Sequence, residues 1–250
     1  MKEREDKQMV YGRQPVLELL KSGRAVEKIF VQKGLSGPFE IELRNLLKGR
    51  EVPVSNVHPM KLNKFTKGNH QGVVAFSSIV EYVELEDLVM HTMESGENPL
   101  FIYLDGITDV RNFGAIIRTA EVFGVHGIIF QSRNSALINQ TMIKTSAGAL
   151  FNVPLSRVKS LNNAVEYLQN SGIEIMVSDL KATKPISEVK FDGPVCLVFG
   201  SEELGISGHM EKLADQRFLI PQVGKTDSLN VAVATGVVMY EVQRQRTVQS

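Results

Sequence analysis

Between residues 100 and 220 short apolar runs alternate with segments of helical periodicity. Runs 100–104, 127–131, 173–178, 194–199 and 217–220 have the length of strands buried on both faces. Segments 112–124, 139–147, 160–171 and about 207–213 repeat apolar residues at helical spacing. Strands alternating with helices predict an α/β fold with a parallel sheet covered on both faces. The first 80 residues carry a smaller unit of the same kind, with strands at 26–32, 52–57 and 72–79 and helices at 14–22 and 39–48. Residues 81–98, ending E-S-G-E-N-P, read as a short helix plus linker. The expected organisation is a flexible tail 1–8, an N-terminal domain 9–80, an acidic linker 81–98 and a larger domain 99–250.

A last helix, 228–245, breaks the pattern. The stretch V-A-V-A-T-G-V-V-M-Y-E-V is apolar nearly all round, which predicts burial on every side. Its interior Gly236 costs ~1 kcal/mol relative to Ala unless close packing needs the missing side chain. Ala232, Thr235, Gly236 and Met239 share one face, and Asp227 or Ser228 is the expected cap.

Composition narrows the chemistry. With 43% hydrophobic and 22% charged residues over 250 positions, the chain is globular rather than disordered. No apolar run is long enough to span a bilayer, and the start M-K-E-R-E-D-K-Q lacks the apolar core of a signal peptide, so a cytoplasmic protein without a membrane segment is expected. Cys196, the single cysteine, excludes an intrachain disulfide and a cysteine metal cluster, and its setting P-V-C-L-V-F-G reads as core. The five histidines are scattered without ligand spacing, so no metal is expected. Metalloprotease, serine-hydrolase, phosphate-loop and dinucleotide signatures are missing.

The net charge of zero conceals a division. Residues 1–80 hold 14 Lys/Arg against 8 Asp/Glu, a net of +6, whereas 81–97 hold six acidic residues and no basic one. A basic module followed by an acidic connector suits a polyanion-binding unit tethered to something else, although a solvated surface gives the same count.

Polar residues cluster after three predicted strands, where open α/β sheets place ligands. After 100–104 come Asn112, near a helix start, and Arg118, six residues on. After 194–199 comes F-G-S-E-E-L-G, with Glu202 just past Gly200, and after 217–220 comes L-I-P-Q-V-G-K-T-D-S-L-N. Each residue alone has a bland use as a cap, a surface ion pair or a turn. Together the three strand ends predict one crevice.

N-F-G-A-I-I-R-T-A-E, L-V-F-G-S-E-E-L-G and I-P-Q-V-G-K-T-D-S-L-N-V-A-V-A-T-G resemble the three motifs of the SpoU/TrmH (SPOUT) family of RNA 2′-O-ribose methyltransferases, in order. V-Y-G-R-Q-P-V-L-E-L-L and N-H-Q-G-V-V-A-F resemble its small substrate-binding domain, related to ribosomal protein L30e. One branch, to which T-S-A-G-A-L-F-N-V-P-L-S-R-V is also similar, includes an enzyme that methylates a guanosine in the peptidyl-transferase region of 23S rRNA. The resemblance implies a deep trefoil knot threading the last helix, a homodimer, and S-adenosylmethionine as cofactor. Gly200, Ile220 and Leu229 match the positions whose backbone holds that cofactor. Asn112, Arg118, Glu202, Ser228 and Asn230 match the polar catalytic set. A tRNA target, an rRNA site linked to antibiotic resistance, and a non-catalytic RNA-binding protein of the same fold stay open as alternatives.

Overall fold

The computed structural model describes residues 9–225 and 228–248. The expected tail 1–8 and Asp227 lie outside the described residues. The chain divides into two compact units, residues 1–81 with 137–140 and residues 82–136 with 141–250.

The first unit is a four-stranded sheet of β1 (Met9–Tyr11), β2 (Val26–Gln32), β3 (Val54–Val57) and β4 (Val73–Ser77), in the order β1-β4-β2-β3. β4 runs antiparallel to β1 and β2, and β3 runs parallel to β2. Strand alternation sends Ile29, Val31, Val73 and Ala75 to one face. There they meet Val16, Leu17 and Leu20 of α1 (Arg13–Lys21) and Phe39 and Leu43 of α2 (Pro38–Leu47). Phe30 and Val74 point the other way, onto Leu62 of α3 (Pro59–Phe65). The sequence pattern does not reveal α3, because its seven residues start at Pro59 and bury only Leu62; the His58 side chain, accepting from Met60 N, caps it.

The second unit holds six parallel strands: β5 (Leu100–Asp105), β6 (Gly127–Gln131), β7 (Leu155–Val158), β8 (Glu174–Ser178), β9 (Val195–Gly200) and β10 (Gln216–Phe218), in the order β10-β8-β9-β5-β6-β7. Every pairing among them is parallel, as the alternation predicts. Its helices are α4 (Leu85–Glu94), α5 (Val110–Val122), α6 (Gln140–Thr145, its first residue grouped with the first unit), α7 (Leu161–Asn170), α8 (Gly208–Leu213) and α9 (Val231–Val248). The stretch expected as helix plus linker contains α4, whose Leu85, Leu88 and Val89 are buried in the same core as Phe101, Tyr103 and Val198. Cys196 lies in that core and burial pushes its thiol pKa up, so it packs as an inert hydrophobe.

β5 and β9 are neighbours at the centre, pairing Asp105 with Gly200. The chain leaves β5 toward β6 and β7, while β8 and β10 lie on the far side of β9. Connections thus diverge from the β5/β9 pair, and open sheets form a crevice at such a point.

Two expectations for the last helix need correction. Val231, Thr235, Val238, Met239 and Val242 of α9 are buried, but Val233, Val237 and Tyr240 are 53%, 40% and 60% exposed, so its apolar circumference is only partly covered within this chain. Gly236 is not close-packed either: a Cβ there would meet only Thr119 Cγ2, at an ordinary 3.5 Å. The far end of α9 is anchored by Arg246, which donates to the carbonyls of Asn98, Pro99, Phe191 and Gly193 at 2.7 to 3.1 Å. Gln245 adds bonds to Val189 O and Phe191 N. Among the described residues, no helix is long and apolar enough to cross a membrane.

Candidate active site

At the end of β9 the chain folds back on itself. Ser201 bridges Gly205, Gly205 N donates to Ser201 O at 2.8 Å, and Leu204 N donates to Ser201 Oγ at 3.1 Å. Gly200 makes the reversal sterically possible: a Cβ there would lie 2.2 Å from Gly205 C and O and 2.5 Å from Ile206 N. All three are backbone atoms, which cannot swing aside as a side chain can. The returning strand is tied to β5 through Asp105, a buried carboxylate that accepts from Ser207 N at 2.7 Å.

This hairpin presents Glu202 to the starts of two helices. Its Oε1 accepts from Asn112 Nδ2 at 3.1 Å, from Val231 N at 3.3 Å, and from Asn230 Nδ2. Asn230 Nδ2 also donates to Asn112 Oδ1 at 3.0 Å, which closes a three-residue ring. Asn230 has a second task, since its Oδ1 accepts from Ala232 N at 3.0 Å and Val233 N at 3.4 Å. Asn230, rather than the expected Asp227 or Ser228, is therefore the side chain seen to cap α9. Asp109 caps α5 in the same manner, accepting from Arg111 N and Asn112 N at 2.7 and 2.9 Å. A carboxylate facing the first turn of the 18-residue α9 is also favoured by the helix dipole.

Beside Glu202 lies a cavity of about 370 Å³. Gly200, Ile220 and Leu229, matched above to cofactor positions, all line it, as do Glu202 and Ser228. Phe199, Ile206 and Ala234 add apolar wall, while Asp179, Glu203 and Glu211 make its charged lining mainly acidic. A second cavity, of about 620 Å³, shares the hairpin as a wall and opens toward Asp109, Asn112, Asn134 and His209. Pattern reading did not single out Asp105, Asp109 or Asp179. Each is an ordinary acidic residue after a strand, and its role depends on hydrogen bonds that spacing does not reveal.

Arg118 stands apart from the ring. Six residues beyond Asn112 on α5, it lies ~9 Å along the axis and about 120° round it. Its side chain is exposed, lines neither cavity, and has no hydrogen bond or ion pair with a described residue. Arg111, Ala115 and Val122 fall on the same stripe of the helix.

The chain has known relatives. The SpoU rRNA Methylase family matches residues 99–240, and a domain described as RNA 2′-O ribose methyltransferase substrate binding matches residues 9–83. The chain belongs to the SpoU rRNA methylase family. The Bacillus subtilis protein YacO, named for the TrmH family of tRNA/rRNA methyltransferases, is 35% identical over 237 residues, covering 95% of each chain. A relative from Staphylococcus saprophyticus, named for the same family, is 32% identical over 95% of this chain and 96% of its own. Among solved structures, the SpoU methyltransferase AviRb from Streptomyces viridochromogenes superposes with a TM-score of 0.62 at 25% identity, covering 97% of this chain and 90% of its own. The A. aeolicus TrmH/SpoU tRNA modifying enzyme gives 0.56 at 31% identity over 66% of this chain and 85% of its own.

Proposed function

We propose that the protein transfers a methyl group from S-adenosylmethionine to a ribose 2′-hydroxyl of RNA. The observation that carries this reading is the convergence of Gly200, Ile220 and Leu229 on one cavity whose wall also bears Glu202, the carboxylate that Asn112 and Asn230 hold from outside it. The cavity suits such a cofactor. Its apolar wall can enclose an adenine ring, its main-chain groups can pair with the base edge, and its acidic lining favours a sulfonium cation. Bound there, the cofactor supplies an electrophilic methyl carbon. AviRb has been solved in complex with AdoMet.

The residues of this chain divide the remaining work. Glu202, held by Asn112 and Asn230, fixes the hairpin that forms one wall of the cavity. Alignment of the attacking oxygen with carbon and sulfur supplies ~7 to 11 kcal/mol of such a barrier when well enforced. Arg118 binds the RNA phosphate and ribose and stabilises the charge developing on the 2′-oxygen.

Arg118 reaches a cofactor through assembly in this reading. Val122, Val233, Val237 and Tyr240 are 69%, 53%, 40% and 60% exposed on α5 and α9, two helices that pack together. An apolar surface of that kind supports association of two copies. Arg118, one turn from Val122, then enters a site completed by both chains. The threading of α9 as a trefoil knot belongs to the same proposal, supported by its bonds to Glu202 at one end and to segments 98–99 and 189–193 at the other.

The substrate proposed first is 23S rRNA, at a guanosine of the peptidyl-transferase region. A tRNA target is the second reading, favoured by the likeness to the A. aeolicus tRNA modifying enzyme. Incubation with labelled S-adenosylmethionine and unmethylated rRNA or tRNA, followed by mapping of 2′-O-methyl positions, separates the two. Arg118→Ala should keep cofactor affinity while single-turnover methylation falls at least about a hundredfold. Wild-type turnover by that variant would remove Arg118 from the mechanism.

A further inference from the structure

The first unit contains a concave site that none of the chemistry above uses. It measures about 450 Å³ and is lined by Arg13, Gln32, Leu35, Asn69, His70 and Gln71. The last three belong to N-H-Q-G, residues 69–72.

That segment is a rigid turn. Val73 N donates to His70 O at 2.9 Å across Gln71 and Gly72, whose φ angles are 50° and 84°. Positive φ at both central residues is the pattern that Asn, Asp or Gly ordinarily serve, and glutamine is costly in the first of these positions. The neighbours lock it there. His70 Nδ1 accepts from Gly72 N at 3.0 Å, and its Nε2 pairs with Asn63 Oδ1 at 2.8 Å. Asn69 Oδ1 accepts from Gln71 N at 3.3 Å. Arg13 N donates to Gln71 Oε1 at 2.9 Å, Arg13 Nε donates to Gln71 O at 3.2 Å, and the guanidinium lies 5.6 Å from the Phe39 ring centroid.

These bonds consume the acceptors and leave the donors. Gln71 Nε2, Asn69 Nδ2 and the Arg13 Nη atoms have no partner among the described residues. The Gln32 amide, half-buried, supplies an acceptor and a donor, and Leu35 gives an apolar wall. A planar heterocycle with polar edges fits such a lining, and a fixed guanidinium fork beside it fits the adjoining phosphate. Duplex RNA cannot place a base inside such a concavity, because its bases are stacked and paired.

We propose that this pocket binds one unstacked nucleotide of the RNA, with its base read by Gln71, Asn69 and Gln32 and its phosphate held by Arg13. The inference rests on RNA being the substrate and adds that the first unit selects a single-stranded position. The strained glutamine holds its side chain at the pocket mouth, where a pre-ordered donor loses little freedom on binding.

Gln71→Gly provides the test in the full-length protein. Glycine adopts φ 50° freely, so the turn is kept while the amide is removed. Fluorescence anisotropy would compare a mixed-sequence single-stranded RNA of about 20 nucleotides with its duplex, alongside calorimetric S-adenosylmethionine binding and thermal melting. Gln71→Gly and Arg13→Lys should each weaken single-strand binding about tenfold or more, the scale of one lost base or bidentate contact, with duplex binding changed far less. Melting temperature and cofactor affinity should hold. Wild-type single-strand affinity in Gln71→Gly overturns this inference and leaves the methyltransferase reading intact. Equal weakening on single strand and duplex overturns it too, by reducing the pocket to a charge effect. A wild-type protein that binds and methylates no RNA overturns both. If the variant loses binding of a free 5′-mononucleotide while its RNA affinity is unchanged, the pocket is a small-molecule site and not an RNA subsite.

Discussion

Gly200→Ala should damage the active site out of proportion to the single methyl group it adds. The new Cβ would lie 2.2 Å from Gly205 C and O, more than an ångström inside ordinary contact, and the obstacle is main chain. Either β9 gives way, against its pairing with β5 and β8, or the 201–205 hairpin does. The hairpin is the softer partner, because its tip residues are exposed and side-chain bonds, rather than a sheet ladder on two sides, hold it. Overpacking of this kind costs ~1 to 3 kcal/mol, and the displaced segment carries Glu202 with it. The 3.1 Å bond to Asn112 and the 3.3 Å bond to Val231 N cannot survive a shift of that size. A misplacement of about 1 Å costs on the order of a hundredfold in rate. Urea titration, calorimetry with S-adenosylmethionine and single-turnover methylation should therefore show a modest loss of stability, cofactor affinity down tenfold or more, and a larger loss of rate. Gly205→Asn is the control: nothing lies within 4 Å of a Cβ there, and asparagine tolerates its φ of 67°. Wild-type behaviour of Gly200→Ala in all three assays would refute the reasoning.

Three further outcomes follow from the same geometry. Arg246→Met removes four donor bonds to carbonyls and should cost ~2 to 4 kcal/mol in urea, with the α9 end exchanging amide protons fastest; an unchanged midpoint would mean water replaces the guanidinium at no cost. Gly236→Ala should hold or raise chain stability by up to about 1 kcal/mol, whereas Gly236→Leu should weaken self-association in sedimentation without unfolding the chain; unfolding would show that the face is closed within one copy. Lys28 and Lys61 both place Nζ 5.4 Å from the Phe30 ring centroid, and neither forms a salt bridge with a described residue. Burial first, and Lys61 second, lower the Lys28 pKa, a cost that a bound phosphate would relieve. Changing both to Gln should flatten the dependence of RNA affinity on salt by roughly 1 to 2 logarithmic units per decade; an unaltered slope would leave the pair without a phosphate contact.

The strands that build the central crevice were legible because each is apolar along its whole length. Residues 100–104, 127–131, 173–178 and 194–199 sit inside or within one residue of β5, β6, β8 and β9. β7 escaped because Ser156 and Arg157 interrupt its pattern, although both are buried and the Arg157 guanidinium stacks 4.1 Å from the Tyr82 ring centroid. β1, only three residues long, gives periodicity too little to work on. The candidate site was read through motif residues rather than pattern. Asn112, Glu202 and Asn230 meet from positions 28 to 118 residues apart, a convergence that local spacing cannot encode. The same limit explains the glycines. Gly236 drew notice because it interrupts a helix, yet it has room for a Cβ, whereas Gly200 has none, set against main chain that follows it in the sequence.

Asn230 has a consequence for the order in which the protein becomes competent. Synthesis runs from the N-terminus, so the strands and helices of the first unit, β5 and the Glu202 hairpin are all made before residue 230 exists. Until Asn230 arrives, Glu202 lacks its Asn230 and Val231 partners, and the cavity lacks the wall formed by Ser228, Leu229 and Val231. A nascent or truncated chain can therefore present its first unit and much of its sheet without a finished cavity. The last pieces to appear act as a completion check on the cavity, whose wall is closed only once translation has passed the start of α9.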